Sequence, residues 1–274
     1  MHTPSLEGKV LITGASGFIG GRLRDALLAQ GVDVLAIRRK GSPAANKGRS
    51  VEAEYRNDAR LVQIMADEKP DWVFHVAGAT KGVTYEDFRS ANVVPTRNLL
   101  AALRKGHPQV KRFVHVSSLA SYGPSEPEAP HTESSPRRPI EHYGRSKLEA
   151  EEVVEAERDI AWTILRPGGV YGPGDVDYFE LFKQVERGFD VYFGNRKRWF
   201  SAVYVDDMVS AALMSATESA TAGKGFFVCD GVPVTWEVFQ RAIVEASGRR
   251  VRTLDLPGFL VDLAAHGGEL LTKL

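Results

Sequence analysis

Charge imbalance, cysteine pairs and long apolar runs are all missing from this sequence of 274 residues. Lysine plus arginine and aspartate plus glutamate each number 35, so neither nucleic acid nor an anionic membrane is favoured as a partner. The single cysteine, Cys229, excludes an intrachain disulfide and fits a reducing compartment, so we expect a cytoplasmic location. No stretch reaches the roughly 18 apolar residues of a transmembrane segment, and no signal peptide is recognisable.

What remains is the composition of an ordinary globular protein. Hydrophobic residues make up 43% and charged residues 26% of the chain. This length suits one large domain, or one domain with an added lobe, and is sufficient to bury a sizeable core. These totals predict a globular protein and by themselves indicate no particular function.

A glycine-rich stretch near the start, KVLITGASGFIG from Lys9 to Gly20, carries the first specific signal. Its apolar run is too short for a helix and ends abruptly, which predicts a buried strand. Glycines at 14, 17 and 20 then precede an amphipathic segment, which predicts a strand, a tight turn and a helix. Such a turn lets the backbone approach a pyrophosphate, and the helix N-terminus offers it free N–H groups. The alternative is a structural turn in an ordinary α/β domain.

Apolar runs and helical patterns alternate over the first two thirds of the chain. We predict strands at 10–12, 33–37, 51–55, 71–76, 110–116 and 160–165, and helices at 59–69, 85–105 and 143–158. Asp58 is expected to cap the helix that follows it. This order predicts an α/β fold with a Rossmann-like doubly wound parallel sheet, whose ligands bind at the carboxyl ends of the strands. Features at or past strand ends are Gly14, Arg38, Ala77, Ser117 and Pro167.

The pattern changes after about residue 170, where short elements are broken by glycine and proline. We therefore expect a dinucleotide-binding domain at 1–169. We expect a small substrate-binding lobe at 170–274, with some elements packing back on the sheet. Residues 257–274 are predicted to form an apolar helix. Repeats and low-complexity segments are lacking.

Tyr143 and Lys147 are four residues apart on a predicted helix and so lie on one face of it. A tyrosine has a pKa near 10, and a neighbouring ammonium is expected to lower it toward the working range of an acid or base. Ser118 follows a predicted strand, where its hydroxyl can bond a carbonyl or hydroxyl oxygen. An exposed helix face and a turn-forming serine are the alternatives.

Five motifs together resemble the extended short-chain dehydrogenase/reductases, or NAD-dependent epimerase/dehydratase family. They are TGASGFIG (13–20), HVSSLASYG (115–123), YGRSK (143–147), LRPGGVYGPGD (165–175) and VYVDDM (203–208). The resemblance implies an enzyme with a nicotinamide cofactor, Tyr143 as general acid/base, Ser118 holding the substrate oxygen and Lys147 holding the ribose. It also implies a homodimer through the Tyr143 helix and the helix before it. The implied cofactor-binding residues are Gly14, Ser16, Gly17, Phe18, Ile19, Arg38, Arg39, Ala77, Ser117, Tyr143, Lys147 and Pro167.

The cofactor is expected to be NADP, with NAD possible. An NAD site usually has an acidic residue at the end of the second strand, where this chain has Arg38 and Arg39. A guanidinium suits a 2′-phosphate. The family also often has an aspartate after the third strand to meet adenine, and here Tyr55 and Arg56 stand there.

The substrate is expected to be a small or hydrophobic alcohol or ketone. Sugar-nucleotide members usually carry an arginine shortly before the VxD motif, where this chain has Phe200, with Arg198 two positions earlier. The later part of the chain resembles the 3β-hydroxysteroid dehydrogenase-like branch. A nucleotide-sugar epimerase or reductase is the alternative, and a non-catalytic cofactor-binding sensor a remote one. His75 and His115 lie in predicted strands and are read as core residues, so no metal is assigned.

Overall fold

A computed structural model describes residues 4–42, 47–126 and 128–257. Strands and helices alternate along the first 170 residues as the sequence predicts. The strands of this region are β1 (Lys9–Thr13), β2 (Asp33–Arg38), β3 (Arg49–Glu52), β4 (Trp72–His75), β5 (Arg112–Val116), β6 (Trp162–Pro167) and β7 (Gly169–Tyr171). The helices are α1 (Phe18–Ala29), α2 (Asp58–Glu68), α3 (Tyr85–Gly106) and α4 (His142–Glu155), with a 3₁₀ turn at Leu119–Ser121.

The later elements are shorter. Their strands are β8 (Phe189–Phe193), β9 (Trp199–Phe200), β10 (Ala202–Tyr204), β11 (Lys224–Val228), β12 (Val234–Thr235) and β13 (Arg252–Leu256). Their helices are α5 (Phe179–Glu186), α6 (Val205–Thr217) and α7 (Trp236–Ser247), with a 3₁₀ turn at Ser219–Thr221. The apolar helix expected at 257–274 lies outside the described residues, apart from Pro257.

Seven strands form one parallel sheet in the order β11-β6-β5-β4-β1-β2-β3. Val10 pairs with Val34 on one side of β1 and with Trp72 on the other. The chain therefore winds outward in opposite directions from β1 and from β4. Ligands of doubly wound sheets bind at such a reversal, beyond the carboxyl ends of the strands. The predicted fold class is confirmed.

The two faces of this sheet are covered by separate apolar clusters, which is why its central strands are apolar on both sides. One cluster joins alternate strand residues such as Val10 and Ile12 to α1 and α6. The other joins Leu11 and Phe113 to α2, α3 and α4. Most of these side chains are fully buried.

Local signals explain most helix boundaries, with one correction. Asn57, and not Asp58, caps α2, because its side chain accepts a hydrogen bond from the Arg60 N–H. Thr84 and Asp87 form a capping box at the start of α3. The third strand also ends earlier than predicted, since the chain turns after it and the Asn57 N–H bonds the Glu54 carbonyl.

The chain divides into two compact units. The first consists of Met1–Val170 and Val203–Cys229, and the second of Tyr171–Ala202 and Asp230–Leu274. Strand β11 and helix α6, which lie late in the sequence, thus belong to the unit that holds the sheet. In the second unit β13 pairs with β8 and β12 pairs with β9.

Candidate active site

The glycine turn after β1 is packed so closely that it has no room for side chains. Gly14 has a φ of 74°, and a Cβ there would lie 2.7 Å from the Ala77 nitrogen at the end of β4. A Cβ at Gly20 would lie 2.2 Å from the Gly14 carbonyl oxygen. At this turn the start of α1 contacts β1 and the end of β4 through backbone atoms, so only glycine fits at positions 14 and 20.

Helix α1 begins without a side-chain cap. Gly17 is its N-cap residue, and the first turn holds no acidic side chain. The N–H groups and the partial positive charge of this helix end are thus left for a ligand, which suits a pyrophosphate. Ser16 and Gly17 are exposed there, whereas Ile19 packs against the core. The glycine turn thus fits the dinucleotide that its sequence implies.

The loop after β4 is held by a chain of buried hydrogen bonds through His75. Thr96 donates to the Asn92 carbonyl at 2.6 Å, so its oxygen accepts from His75 Nε2 at 2.9 Å. His75 Nδ1 then accepts from Thr13 at 2.7 Å, and the Ala77 N–H donates to the same Thr13 oxygen at 3.1 Å. Burial lowers the pKa of His75 to about 3, so the ring is neutral, as this pattern requires. The network places Ala77 beside the glycine turn.

Ser118 and Tyr143 meet just past the end of β5. The Tyr143 hydroxyl lies beside the Ser118 side chain, and Ser118 accepts a hydrogen bond from the Ala120 N–H at 3.2 Å. Gly144 makes this approach possible, because a Cβ there would lie 2.3 Å from the Ala120 carbonyl oxygen. Burial raises the pKa of Tyr143, and the neighbouring Ser118 hydroxyl opposes that rise. The tyrosine is therefore a neutral hydroxyl at pH 7, suited to donate a proton.

Lys147 lies one turn further along α4 and is almost fully buried. Its ammonium donates to the Val116 carbonyl at 2.8 Å. Burial lowers the pKa of Lys147 to about 8, against the charge of Glu151. The spacing predicts a lowered pKa for Tyr143, whereas burial dominates here and raises it; that Lys147 opposes this rise stays a prediction.

The arginines expected to select the cofactor differ in their surroundings. Arg38, the last residue of β2, donates to Glu52 at 2.8 Å and to the Ser42 carbonyl at 3.3 Å. Arg39 is exposed and forms no ion pair with the described residues. Arg39 is thus the guanidinium that is available to a ligand.

Two other expected cofactor-binding residues are buried. Pro167 lies at the end of β6, and Ser117 donates a hydrogen bond to Glu151.

Sequence reasoning missed Asn92 in the middle of α3. Its amide oxygen accepts from the Ala79 N–H at 2.7 Å, and its amide nitrogen donates to Ala79 and to Ser146. Asparagine is unfavourable inside a helix, so its presence there was a usable signal. Asn92 fixes the loop after β4 to the helix that carries Tyr143.

Aromatic rings form a cluster within the second unit. Phe200 and Trp236 are stacked with centroids 4.5 Å apart, and Tyr178 lies 6.2 Å from Trp236 at a similar tilt. Phe239 meets these rings edge-on. Among the described residues, most of the large apolar side chains that are exposed lie in this same unit, namely Val176, Phe179, Phe182, Phe189, Phe193, Trp199, Val232 and Val238. In the part of the chain that the structure describes, no arginine lies over these four rings.

Within the described ranges, every helix is too short or too polar to cross a membrane. No group of three His, Cys, Asp or Glu side chains in those ranges is placed to hold a metal ion.

A parallel sheet with a glycine turn and a serine, tyrosine and lysine at its carboxyl edge defines a nicotinamide-dependent enzyme of the Rossmann type. The sequence matches the model of the NAD dependent epimerase/dehydratase family over residues 10–229. The chain belongs to this family, and it is an enzyme of the extended short-chain dehydrogenase/reductase type. The resemblance stated from the motifs is confirmed.

Two curated relatives match almost the whole chain. One is the 4-hydroxy-2-methyl-3-oxo-4-farnesyl-3,4-dihydroquinoline-1-oxide ketoreductase of Stigmatella aurantiaca, which is 29% identical over 97% of this chain and 81% of the relative. The other is a 3-beta-hydroxysteroid dehydrogenase of Mycolicibacterium neoaurum, 29% identical over 99% of this chain and 80% of the relative.

Solved structures agree on the fold. UDP-glucose 4-epimerase from Thermotoga maritima, solved with UDP-glucose, has a TM-score of 0.82 and 24% identity over 91% of this chain and 85% of that one. MoeE5, solved with UDP-glucuronic acid and NAD, has a TM-score of 0.78 and 26% identity over 91% of this chain and 86% of that one.

Proposed function

We propose that this enzyme transfers a hydride between a nicotinamide and a secondary alcohol or ketone, on a small or hydrophobic substrate. The observation that carries the proposal is that Tyr143 and Ser118 lie side by side at the end of β5, with Lys147 one turn along α4. The glycine turn at the end of β1 lies at the same edge of the sheet, two strands away. This shared edge supports a single crevice that takes both the substrate and the cofactor.

Each side chain has a role that its geometry allows. Ser118 donates a hydrogen bond to the substrate oxygen and holds it beside Tyr143. Tyr143 gives its proton to that oxygen in reduction, or takes one from it in oxidation. Lys147 is charged at neutral pH and stabilises the negative charge left on the tyrosine. When bound, the nicotinamide supplies or accepts the hydride.

The aromatic cluster supports the hydrophobic substrate class. Stacked rings and exposed phenylalanines favour apolar and planar ligands over a diphosphate, which needs cationic partners. The ketoreductase and hydroxysteroid dehydrogenase relatives act on such compounds by name. A nucleotide-sugar epimerase or reductase is the second candidate, because MoeE5 binds UDP-glucuronic acid on a similar fold.

NADP is the proposed cofactor, with Arg39 as the residue that meets the 2′-phosphate. Arg39 is exposed at the end of β2, whereas Arg38 is bound to Glu52. In an Arg39→Ala variant we expect NADPH to bind about tenfold more weakly while NADH binding changes little. Titration of both cofactors by calorimetry measures this, with Arg158→Ala, an exposed arginine just after the C-terminal end of α4, as a matched surface control. Tighter binding of NADH than NADPH by the natural chain would contradict the proposal.

A homodimer formed through α3 and α4 and a cytoplasmic location complete the proposal. Light scattering after size-exclusion chromatography measures the mass directly, and a mass near 30.1 kDa would contradict the dimer.

Thermal melting followed by turnover tests the central proposal. With saturating NADPH, a panel of steroid and small aromatic ketones is expected to raise the melting temperature, since a ligand of the folded state stabilises it by mass action. Loss of NADPH absorbance with the same ketones is the expected reaction. A shift produced by UDP-sugars and by UDP alone, without ketone turnover, would instead establish the nucleotide-sugar alternative.

A further inference from the structure

Three successive turns of α4 contact three successive residues at the end of β5. Tyr143 lies beside Ser118, the Lys147 ammonium donates to the Val116 carbonyl at 2.8 Å, and the Ser117 hydroxyl donates to Glu151. The first two contacts belong to the proposed catalytic group. The third fixes the same helix one turn further on, at the residue directly before Ser118.

Glu151 is a fully buried carboxylate in a built network of charges. Arg137 donates to it at 2.8 Å and Arg166 at 2.9 Å. Glu155, one turn further along and 31% exposed, pairs with the same two arginines. Its own hydrogen bonds reach only these arginines, so within the described residues Glu151 alone connects the network to β5.

Arg166 is held in place from both sides. Gly225 on β11 lies against its guanidinium, so closely that a Cβ at this position would be 2.2 Å from the group. The guanidinium carbon also lies over the Tyr122 ring, 5.3 Å from the ring centre. A buried arginine fixed in this way has little freedom to turn away from Glu151. The Glu151 carboxylate is therefore bound to a partner that is itself held in one position.

The charges around Lys147 do not balance. The network itself has two cations, Arg137 and Arg166, and two carboxylates, Glu151 and Glu155, and Lys147 next to it adds a third cation. His115 on β5 and His75 on β4 also face this region, and burial lowers the pKa of both. Both rings are neutral at pH 7, so one positive charge is in excess. Glu151 is the carboxylate on the same helix face as Lys147, and its charge opposes the effect of burial on that lysine.

We propose that Glu151 is a positioning residue for the reaction, setting α4 on the end of β5 and keeping Lys147 in its charged form. This inference rests on the proposed function, in which the charged lysine stabilises the negative charge on Tyr143. It adds a residue that touches neither substrate nor cofactor. A purely structural carboxylate would change stability without changing the pH at which Lys147 loses its proton.

The test titrates Lys147 in the whole protein without any substrate. Lysine labelled with ¹³C at Cε reports each ammonium by NMR, and the Lys147→Met spectrum assigns the signal. In Glu151→Gln we expect the Lys147 titration to move to lower pH than in the natural chain, because the opposing carboxylate is gone. Glu155→Gln is the matched control, since it removes a carboxylate that shares both arginines but does not contact β5, and its titration is expected to move less.

Activity gives a second readout. The rate of ketone reduction is expected to decline above about pH 8 in the natural chain and at lower pH in Glu151→Gln, with kcat about tenfold lower at pH 8. A Glu151→Gln titration that coincides with that of the natural chain would overturn the inference. If the natural chain reduced no ketone, the proposed function would be refuted. The NMR titration would still test whether Glu151 sets the pH at which Lys147 loses its proton.

Loss of Glu151 leaves two arginines without their buried partner, so Glu151→Gln can fail to fold. Arg137→Gln then carries the test, because Arg137 lies in a loop and is partly exposed. Removing this cation leaves Glu151 with more of its charge uncompensated, so the Lys147 titration is expected to move to higher pH. An unmoved titration in Arg137→Gln would overturn the inference.

Discussion

The end of β5 with α4 and the aromatic cluster of the second unit are built on opposite principles. At the end of β5 the key side chains, Lys147 and Glu151, are buried, and each has a fixed hydrogen-bond partner there. In the second unit Phe200, Trp236 and Tyr178 contact one another as rings and are only half-buried. Proton transfer requires the reacting atoms to be held to within fractions of an ångström, whereas binding of an apolar ligand requires mainly apolar contact area. We infer that the first region carries the chemistry and the second the choice of substrate.

The largest effect is expected from Tyr143→Phe, which removes the proton donor and little else. The rate of ketone reduction should fall about 10³-fold with little change in KM or melting temperature. Tyr85→Phe is the matched control, because Tyr85 is a hydroxyl on the neighbouring helix that bonds Glu149. If Tyr143→Phe lost less than tenfold, the chemistry would not lie at the end of β5.

A single methyl group added in the glycine turn is expected to disrupt the close backbone contact there. Gly20→Ala places a Cβ 2.2 Å from the Gly14 oxygen and should destabilise the protein by about 2 kcal/mol or more and abolish the shift in melting temperature caused by NADPH. Gly21→Ala is the matched control, since its Cβ would lie 3.4 Å from the nearest atom, the Ala15 carbonyl oxygen. Equal melting temperatures for the two variants would refute the tight-turn argument.

Removal of a stacked ring tests the role of the aromatic cluster in the second unit. In Trp236→Ala we expect KM for an apolar ketone to rise about tenfold with kcat nearly unchanged, since surface is lost and proton transfer is not. Trp236→Phe should recover most of the affinity, and Phe189→Ala, an exposed ring outside the stack, should change little. A fall in kcat at unchanged KM would break the proposed division of roles.

Acid is expected to destabilise the first unit through its buried histidines. Their pKa values are lowered by burial, to about 3 for His75 and well below the ordinary value for His115. Below about pH 6.5 the unfolded chain binds protons that the folded chain does not, so stability falls as pH falls. Each histidine contributes a loss of about 2 kcal/mol between pH 6.5 and 5.

His115 provides the variant for this prediction, because neither ring nitrogen has a hydrogen-bond partner among the described residues. In His115→Leu the loss of stability between pH 7 and pH 5, measured by urea unfolding, should be smaller by about that amount. The pH 7 comparison gives the packing effect of the substitution by itself. An unchanged difference between the two pH values would show that His115 does not remain neutral in the folded chain.

The sequence by itself determined the fold class and the positions of the glycine turn and of the Tyr143 and Ser118 motifs. Local rules suffice there, because apolar runs, glycine spacing and helical periodicity act over a few residues. The same local reasoning chose Asp58 as a helix cap where Asn57 serves, since both residues can cap and only backbone geometry separates them.

Only the tertiary structure decided which groups surround those motifs. Glu151 receives Arg137 from a loop, Arg166 from β6 and Ser117 from β5, and no local pattern links these residues. The same holds for the pKa of Tyr143, which spacing alone predicts to fall and which burial raises. Electrostatic effects depend on burial and on partners distant in sequence, so they follow from the folded arrangement and not from the motif.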